Sequence, residues 1–564
     1  MKIPYGISNF KALITQGYYY VDRTPYIEYL ENLGEKYLFF LRPRRFGKSL
    51  FVSMLSYYYD STEKENFQTI YGKYHIGQNP TPLANQYGVL EFEFSRINTT
   101  TAETTLNGFL SNTKIGAQNF FQKYPLISQA QQEKILSQNE PAEVLKALLT
   151  AYKNKLIIYV LIDEYDHFAN ELMAFNLDNF RNIVSRNGFV RKFYEALKTG
   201  TLEGVVDRMF ITGVTPITLD AFTSGFNIGV NLSLEAQLNA LMGFTEAEVE
   251  TLLAQLGPDV PVRQIMPDIR EWYDGYRFAR SAKQRIYNAD MVLYFAKEYQ
   301  RHREYPERML DVNIASDYGK LRRLFALRNP KQNFKVLEDL VQQPFVPANI
   351  TAQFSFEKEF SRDDFLSLLY YMGFVTYYDQ TPFHSFRVPN EVIRSLYLEY
   401  FIHLLKEREG LSFSEEAVKE AILQMGFYDN AEPYFRILEE ILKELSDRDF
   451  QNFNEKNIKL LIFATAALSN HYFHLKSERE GKDGYTDILF LEKKPYQVYH
   501  QYAIELKYLK KEEASRLEEV QAQAARQLQN YIREEPTLRE LTNLKAFTII
   551  VVKDDLHLRE IAIH

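Results

Sequence analysis

The segment Lys36-Tyr-Leu-Phe-Phe-Leu-Arg-Pro-Arg-Arg-Phe-Gly-Lys-Ser-Leu50 constrains this chain more than any other. Tyr37 to Leu41 predicts a buried strand, and Arg42 to Phe46 a tight basic loop. Gly47-Lys48-Ser49 then opens a helix that runs through Phe51, Met54 and Leu55. A strand, a loop and a helix N-terminus in that order form an anion cradle. Loop amides and the helix dipole face phosphate, the Lys48 amine reaches further phosphate oxygens, and the Ser49 hydroxyl suits a magnesium ion. Arg42 stands where such loops carry their first glycine, and Pro43, Arg44 and Arg45 make the loop stiff and cationic. The competing reading is a basic surface turn ahead of a core helix.

A second motif, Leu156-Ile-Ile-Tyr-Val-Leu-Ile-Asp-Glu-Tyr-Asp166, decides between them. Its uninterrupted apolar run fits a central parallel strand. It ends in Asp163 and Glu164, at the strand end where such sheets place ligands. Asp163 is expected to orient magnesium beside Ser49, and Glu164 to polarise an attacking water. Arg208-Met-Phe-Ile-Thr-Gly-Val-Thr-Pro216 predicts a neighbouring strand, with Thr212 and Thr215 as candidates to sense the γ-phosphate. A plain strand before a proline turn is the equal alternative. Val89 to Phe94 alternates as a strand, while Leu106 to Tyr124 and Glu143 to Tyr152 carry helical periodicity. The expected fold is α/β, a parallel sheet with helices on both faces.

At 564 residues the chain exceeds one core, so two to four domains are expected. The 40 Tyr and 42 Phe read as core packing rather than base-stacking surface, and the net charge of −8 supplies no global attraction for nucleic acid. Without cysteine, disulfides, thiolate zinc sites and cysteine nucleophiles are excluded. Met1-Lys-Ile-Pro-Tyr-Gly lacks a signal-peptide apolar run, and the longest apolar runs, Leu156 to Ile162 and Leu460 to Leu468, are too short to span a bilayer. A soluble cytoplasmic protein with no membrane partner is expected.

From about Leu232 the pattern turns helical and polar. Phe365 to Met372, then Phe374 to Tyr378, then Phe386 to Asn390, follow the helix and strand order of a winged-helix module. Nothing there is conspicuously basic, which favours a lid over a DNA reader. Further on, Tyr502-Ala-Ile-Glu-Leu-Lys-Tyr508 alternates so that Glu505 and Lys507 share one face and Ile504 and Leu506 the other. Asp487 opens the preceding strand, close enough in the pattern to share a metal with Glu505. Two carboxylates suit magnesium, and a lysine beside them can orient a nucleophilic water or stabilise phosphorane charge. The helix Glu518 to Ile532 follows, with Gln527 and Tyr531 one turn apart. Taken as a plain pattern, Glu-x-Lys is a solvated strand face.

With these residues in view, the chain resembles a bacterial family that joins an N-terminal AAA-ATPase-like domain to a C-terminal PD-(D/E)XK nuclease domain. The likeness covers Ile3 to Gly6, Tyr20 to Thr24, Arg42 to Ser49, Leu161 to Asp166 and Gly213 to Pro216. It continues through Tyr273 to Tyr276, Tyr287-Asn288, Asp487 and Glu505 to Lys507. The resemblance implies an AAA-like P-loop ATPase domain over 1–230, a helical lid with a winged-helix-like module over 231–395, and a restriction-endonuclease-like α/β domain over 396–564. It implies ATP and Mg2+ at the first site, held by Arg44, Arg45, Gly47, Lys48, Ser49, Asp163 and Thr215, with Glu164 catalytic. At the second it implies Mg2+ or Mn2+ on Asp487 and Glu505, with Lys507. Gln527 and Tyr531 match a Gln-x-x-x-Tyr helix of one nuclease branch, and Glu478 an upstream acidic position. The expected function is ATP hydrolysis coupled to metal-dependent DNA cleavage, in defence or a mobile element; a homo-oligomer is one open arrangement, since ATPases of the kind it resembles often complete their site with a neighbour's arginine. The alternative is an ATP-dependent switch or DNA-binding regulator whose nuclease-like domain does not cut.

Overall fold

The apolar runs become strands because nearly every position along them is covered. In the computed structural model, β1 (Tyr37–Leu41), β2 (Gly88–Glu93), β3 (Ile158–Asp163), β4 (Val206–Gly213) and β5 (Val230–Asn231) form one sheet. Its order is β2-β3-β4-β1-β5, and every pair is parallel. β3 is buried at each position, as a strand with helices on both faces must be. Each of Val160, Leu161 and Ile162 contributes roughly 1.5–3 kcal/mol by leaving water.

The structure describes every residue except 96, 170–187, 218–225, 312–320, 328, 353, 355–359, 379, 446–453, 469–471, 477–487, 495 and 564. The chain divides into two units. One comprises Met1–Arg301, Asp311–Val336 and Phe345–Asn390; the other comprises His302–Leu310, Leu337–Pro344 and Glu391–His564.

In the first unit, the helix Lys48–Tyr59 covers one face of the parallel sheet through Phe51, Met54, Leu55, Tyr58 and Tyr59, packed with Phe40, Tyr159, Leu161 and Phe210. On the other face, Phe94 stacks on Phe109 at 4.2 Å, and Phe193 meets Phe92 and Phe109 edge-on. The abundant aromatic residues are thus spent largely on the core. β4 lies between β1 and β3, so the loop after β1 and the acidic end of β3 open onto the same sheet edge. The same unit holds a small antiparallel sheet of β6 (Val346–Pro347), β7 (Thr376–Tyr377) and β8 (Ser385–Arg387). β7 and β8 follow the helix Arg362–Tyr371, in the helix-then-strand order read from the sequence, while β6 precedes that helix.

The second unit is built on β9 (Phe473–Lys476), β10 (Ile488–Glu492), β11 (Gln501–Leu509), β12 (Leu544–Val552) and β13 (Asp555–Ile561), in the order β13-β12-β11-β10-β9. β11 and β12 are parallel and joined by the helix Leu517–Glu534, while the other pairs are antiparallel. Parallel neighbours need such a crossover. Among the described residues no helix is long and apolar enough to cross a membrane.

Candidate functional site

The loop between β1 and the helix Lys48–Tyr59 opens into a cavity of about 750 Å³. Gly47 has φ 100°, in the left-handed region, which lets the chain turn into the helix with its first amides facing that cavity. Arg44, Arg45, Gly47, Lys48 and Ser49 all line it, together with Asp163, Glu164 and His167. Lys48 is almost wholly buried, and its Nζ lies 3.4 Å from Glu164 Oε1 while donating to the Pro43 carbonyl. Ser49 lines the same cavity as Asp163 and pulls on its carboxyl. Burial, then the neighbouring Glu164, push Asp163 up to about 6 against the opposing pull of Ser49 and Lys48. Burial also pushes Glu164 upward, but Lys48, His167 and Arg44 outweigh it and hold that carboxyl below its usual range.

This end of the cavity suits a polyphosphate. It offers a helix N-terminus, an ammonium and arginine side chains, and a hydroxyl and a carboxylate as hard oxygen donors for magnesium. Among the described residues no group of three or more metal-binding side chains gathers, and a nucleotide-borne magnesium asks for only one or two from the protein. The lining also includes Ile7, Tyr19, Tyr20, Val21, Leu241 and Met242, an apolar and aromatic surface suited to a flat base. Arg23, also in the lining, makes a two-toothed pair with Glu248, 2.6 and 2.7 Å, and donates to the Gly243 carbonyl.

The loop is braced from outside. Arg42 does not face the cavity: it is buried, donates to the carbonyls of Leu41, Ser233 and Leu238, and lies 4.2 Å from the rings of both Phe40 and Phe278. The arginine in place of the loop's first glycine is therefore an anchor. Arg45 pairs with Asp290 at 3.0 Å, and Asn288 donates to the Arg44 carbonyl. Phe46 lodges edge-on against Tyr276 and Phe278. Gly275 is required because a Cβ there would stand 2.1 Å from the Pro389 carbonyl oxygen. The motifs Tyr273 to Tyr276 and Tyr287-Asn288 thus serve the loop from a distance in sequence. Thr215 does not line the cavity: its amide and hydroxyl donate to Asp166 at 2.6 and 2.8 Å. Thr212 donates to the Phe40 carbonyl.

In the second unit, β11 carries Glu505 and Lys507. Glu505 is 1% exposed, and Lys507 Nζ donates to Glu505 Oε1 at 2.8 Å. Ile504 and Leu506 are buried on the other face. Asp487 and Glu478 lie outside the described residues. Two residues that sequence reasoning missed come to this face. Glu455, at the start of the helix Glu455–Ala467, places Oε1 3.8 Å from Lys507 Nζ. Gln521 is buried and donates to the hydroxyl of Thr548, the residue in register with Glu505 on β12. Gln527 is exposed, while Tyr531 packs against the cluster of Leu489, Leu528 and Ile532. A signal for Gln521 existed: Gln521, Ala524 and Leu528 fall on one helical stripe. For Glu455 the signal was a capping Asn454 directly before it, whose side chain accepts from the amides of Lys456 and Asn457.

Comparison with known proteins divides the chain similarly. Residues 4–223 match the family described as "Predicted AAA-ATPase", and residues 453–560 match the PD-(D/E)XK nuclease superfamily. A stretch of 302 residues, 52% of this chain, is 28% identical to an uncharacterized protein of the vnfD 5' region of Azotobacter chroococcum mcd 1. The chain spans about half the length of that relative, 52%. A Walker-type ATPase of Pyrococcus abyssi is 14% identical with a TM-score of 0.39, over 66% of this chain and 94% of that one.

Proposed function

Because the chain joins an AAA-ATPase-like domain to a PD-(D/E)XK nuclease superfamily domain, we propose that it binds and hydrolyses ATP and uses that cycle to control metal-dependent cleavage of DNA. The observation that carries the first half is the convergence of Lys48, Ser49, Asp163 and Glu164, from two strand ends, on one cavity. Arg44, Arg45 and the helix N-terminus hold phosphate, Ser49 and Asp163 hold magnesium, and the base lies against the apolar end. Bound magnesium supplies charge neutralisation on the β- and γ-phosphates. Glu164 accepts the proton of the attacking water, with Lys48 drawn to the phosphate oxygens. Thr215 acts here by shaping the loop through Asp166.

The second half rests on the Glu505–Lys507 pair on a buried strand beside a crossover helix. Exposed Glu-x-Lys pairs are common, but a carboxylate 1% exposed and paired with a lysine is costly unless it has work to do. Asp487 and Glu505 are the proposed metal ligands, and Glu455, 3.8 Å from Lys507 Nζ, is a further candidate. Lys507 orients the water, and Gln521, Gln527, Tyr531 and Glu478 shape the surroundings. A role in defence against foreign DNA suits this pairing of activities. The test is direct: the purified chain is given plasmid and single-stranded DNA with Mg2+ or Mn2+, with and without ATP. Metal-dependent cutting altered by ATP is expected. ATP turnover without any cutting would leave a nucleotide switch in place of the nuclease.

A further inference from the structure

β4, the strand between β1 and the acidic strand β3, and the turn after it carry two hydroxyls that are both committed elsewhere. Thr212 Oγ1 donates to the Phe40 carbonyl at 2.7 Å and Thr215 Oγ1 to Asp166 Oδ2 at 2.8 Å, and both residues are fully buried. Asp166 also accepts the amide of Val214 at 3.0 Å, and the Tyr165 hydroxyl donates to the Thr215 carbonyl. The end of β4 therefore serves to fix the turn that follows β3. That turn is further held by the Tyr165 amide donating to the Thr212 carbonyl and the His167 amide to the Glu164 carbonyl. Glu164 itself sits at φ 53°, a left-handed conformation that a non-glycine residue keeps only when its surroundings enforce it.

This stiff turn brackets Glu164 between two groups. Lys48 Nζ is 3.4 Å from its Oε1, and His167 Nδ1 is 3.8 Å from its Oε2. His167 also lines the cavity. ATP would disturb only one side of the bracket, because Lys48 is the group drawn to the phosphate oxygens. Glu164 then loses its Oε1 partner at the step in which it must orient water. Resting on the ATPase reading above, we propose that His167 is a positioning residue for hydrolysis: through Oε2 it keeps the Glu164 carboxylate aimed at the attacking water once Lys48 has turned to the phosphates. It takes the place of a polar side chain at the end of β4, and it acts through Glu164 rather than by binding the nucleotide.

The test uses the full chain with Mg2+ and ATP, comparing wild type, His167→Ala and His167→Gln by calorimetry and steady-state hydrolysis. For His167→Ala, ATP affinity should stay within about threefold while kcat falls about 10- to 100-fold, the scale of a small misplacement of a catalytic group. His167→Gln, which keeps a donor, should recover at least about fivefold of that loss. Should His167→Ala fail to fold by circular dichroism, His167→Leu, which fills volume without a donor, is held to the same criteria. Wild-type kcat in a folded Ala or Leu variant overturns the proposal. So does a proportional fall of affinity and kcat, which would make His167 a nucleotide ligand, or a Gln variant no better than Ala. A wild type that neither binds nor hydrolyses ATP refutes the ATPase reading itself, and the inference falls with it.

Discussion

Lys48 Nζ and Glu164 Oε1 stand 3.4 Å apart across the N-terminal cavity, so the cation proposed to hold phosphate and the carboxylate proposed to activate water are paired with each other. Removing the charge of Glu164 releases Lys48 and removes a negative group facing the γ-phosphate. Glu164→Gln should therefore bind ATP at least as tightly as the wild type, measured by calorimetry, while hydrolysis falls ~10²-fold or more. Lys48→Ala should lose ATP binding with the fold intact. Hydrolysis at the wild-type rate in Glu164→Gln would remove Glu164 from the mechanism.

Arg42 and Arg44 should separate stability from binding, although they are two residues apart in one basic run. Arg42 is buried with three carbonyl acceptors and two ring faces, so Arg42→Ala strands buried acceptors and opens a cavity. A loss of about 3 kcal/mol or more is expected from thermal or urea unfolding. Arg44 lines the cavity, and Arg44→Ala should weaken ATP binding with little change in unfolding. Equal effects of the two changes on stability would contradict the anchor role.

That contrast also marks where the sequence stops being legible. β1 spans Tyr37–Leu41 as its apolar run implies, and β3 and the helix Lys48–Tyr59 follow from continuous hydrophobicity and a glycine turn. These are local signals. The direction in which Arg42 points is not local: it is set by carbonyls at Ser233 and Leu238 and by Phe278, which only the fold brings near. Thr215 is ambiguous in sequence for the same reason, since a hydroxyl near a strand end looks alike whether it faces a ligand or, as here, Asp166. Glu505 and Lys507 were legible from strand alternation, whereas Glu455 reaches them by way of a separate helix.

Lys493, in the second unit, gives a pH prediction. Burial pulls its amine down to about 7, against the smaller opposing pull of Glu391. An unfolded lysine titrates near about 10.4, so between these values the unfolded chain holds a proton that the folded chain does not. Stability from this group therefore rises as pH climbs from about 7 toward about 10.4 and is lost as pH falls through that window. Lys493→Met should raise the unfolding temperature at pH 7 and give a shrinking advantage as pH approaches about 10. A gain that does not vary with pH would show that packing rather than charge is responsible.

The final prediction concerns the pair on β11. Lys507 Nζ is 2.8 Å from Glu505 Oε1 and 3.8 Å from Glu455 Oε1, so one ammonium faces two carboxylates from different elements. Lys507→Ala should abolish metal-dependent cleavage and also destabilise the second unit, because Glu505 stays buried without its ammonium partner. Loss of cutting in that variant alone is ambiguous. Glu455→Gln resolves it: this residue is part-exposed, its loss should leave unfolding nearly unchanged, and a shared role predicts cleavage reduced by ~10-fold or more. Asp487→Ala should silence cleavage, and ATP hydrolysis by the N-terminal domain should survive in all three variants. If the wild type cuts DNA and Glu455→Gln cuts equally well, Glu455 is only an ion-pair partner of Lys507. If Asp487→Ala and Lys507→Ala also cut at the wild-type rate, the proposed second site is wrong, and the buried Glu505 beside Lys507 is a structural ion pair.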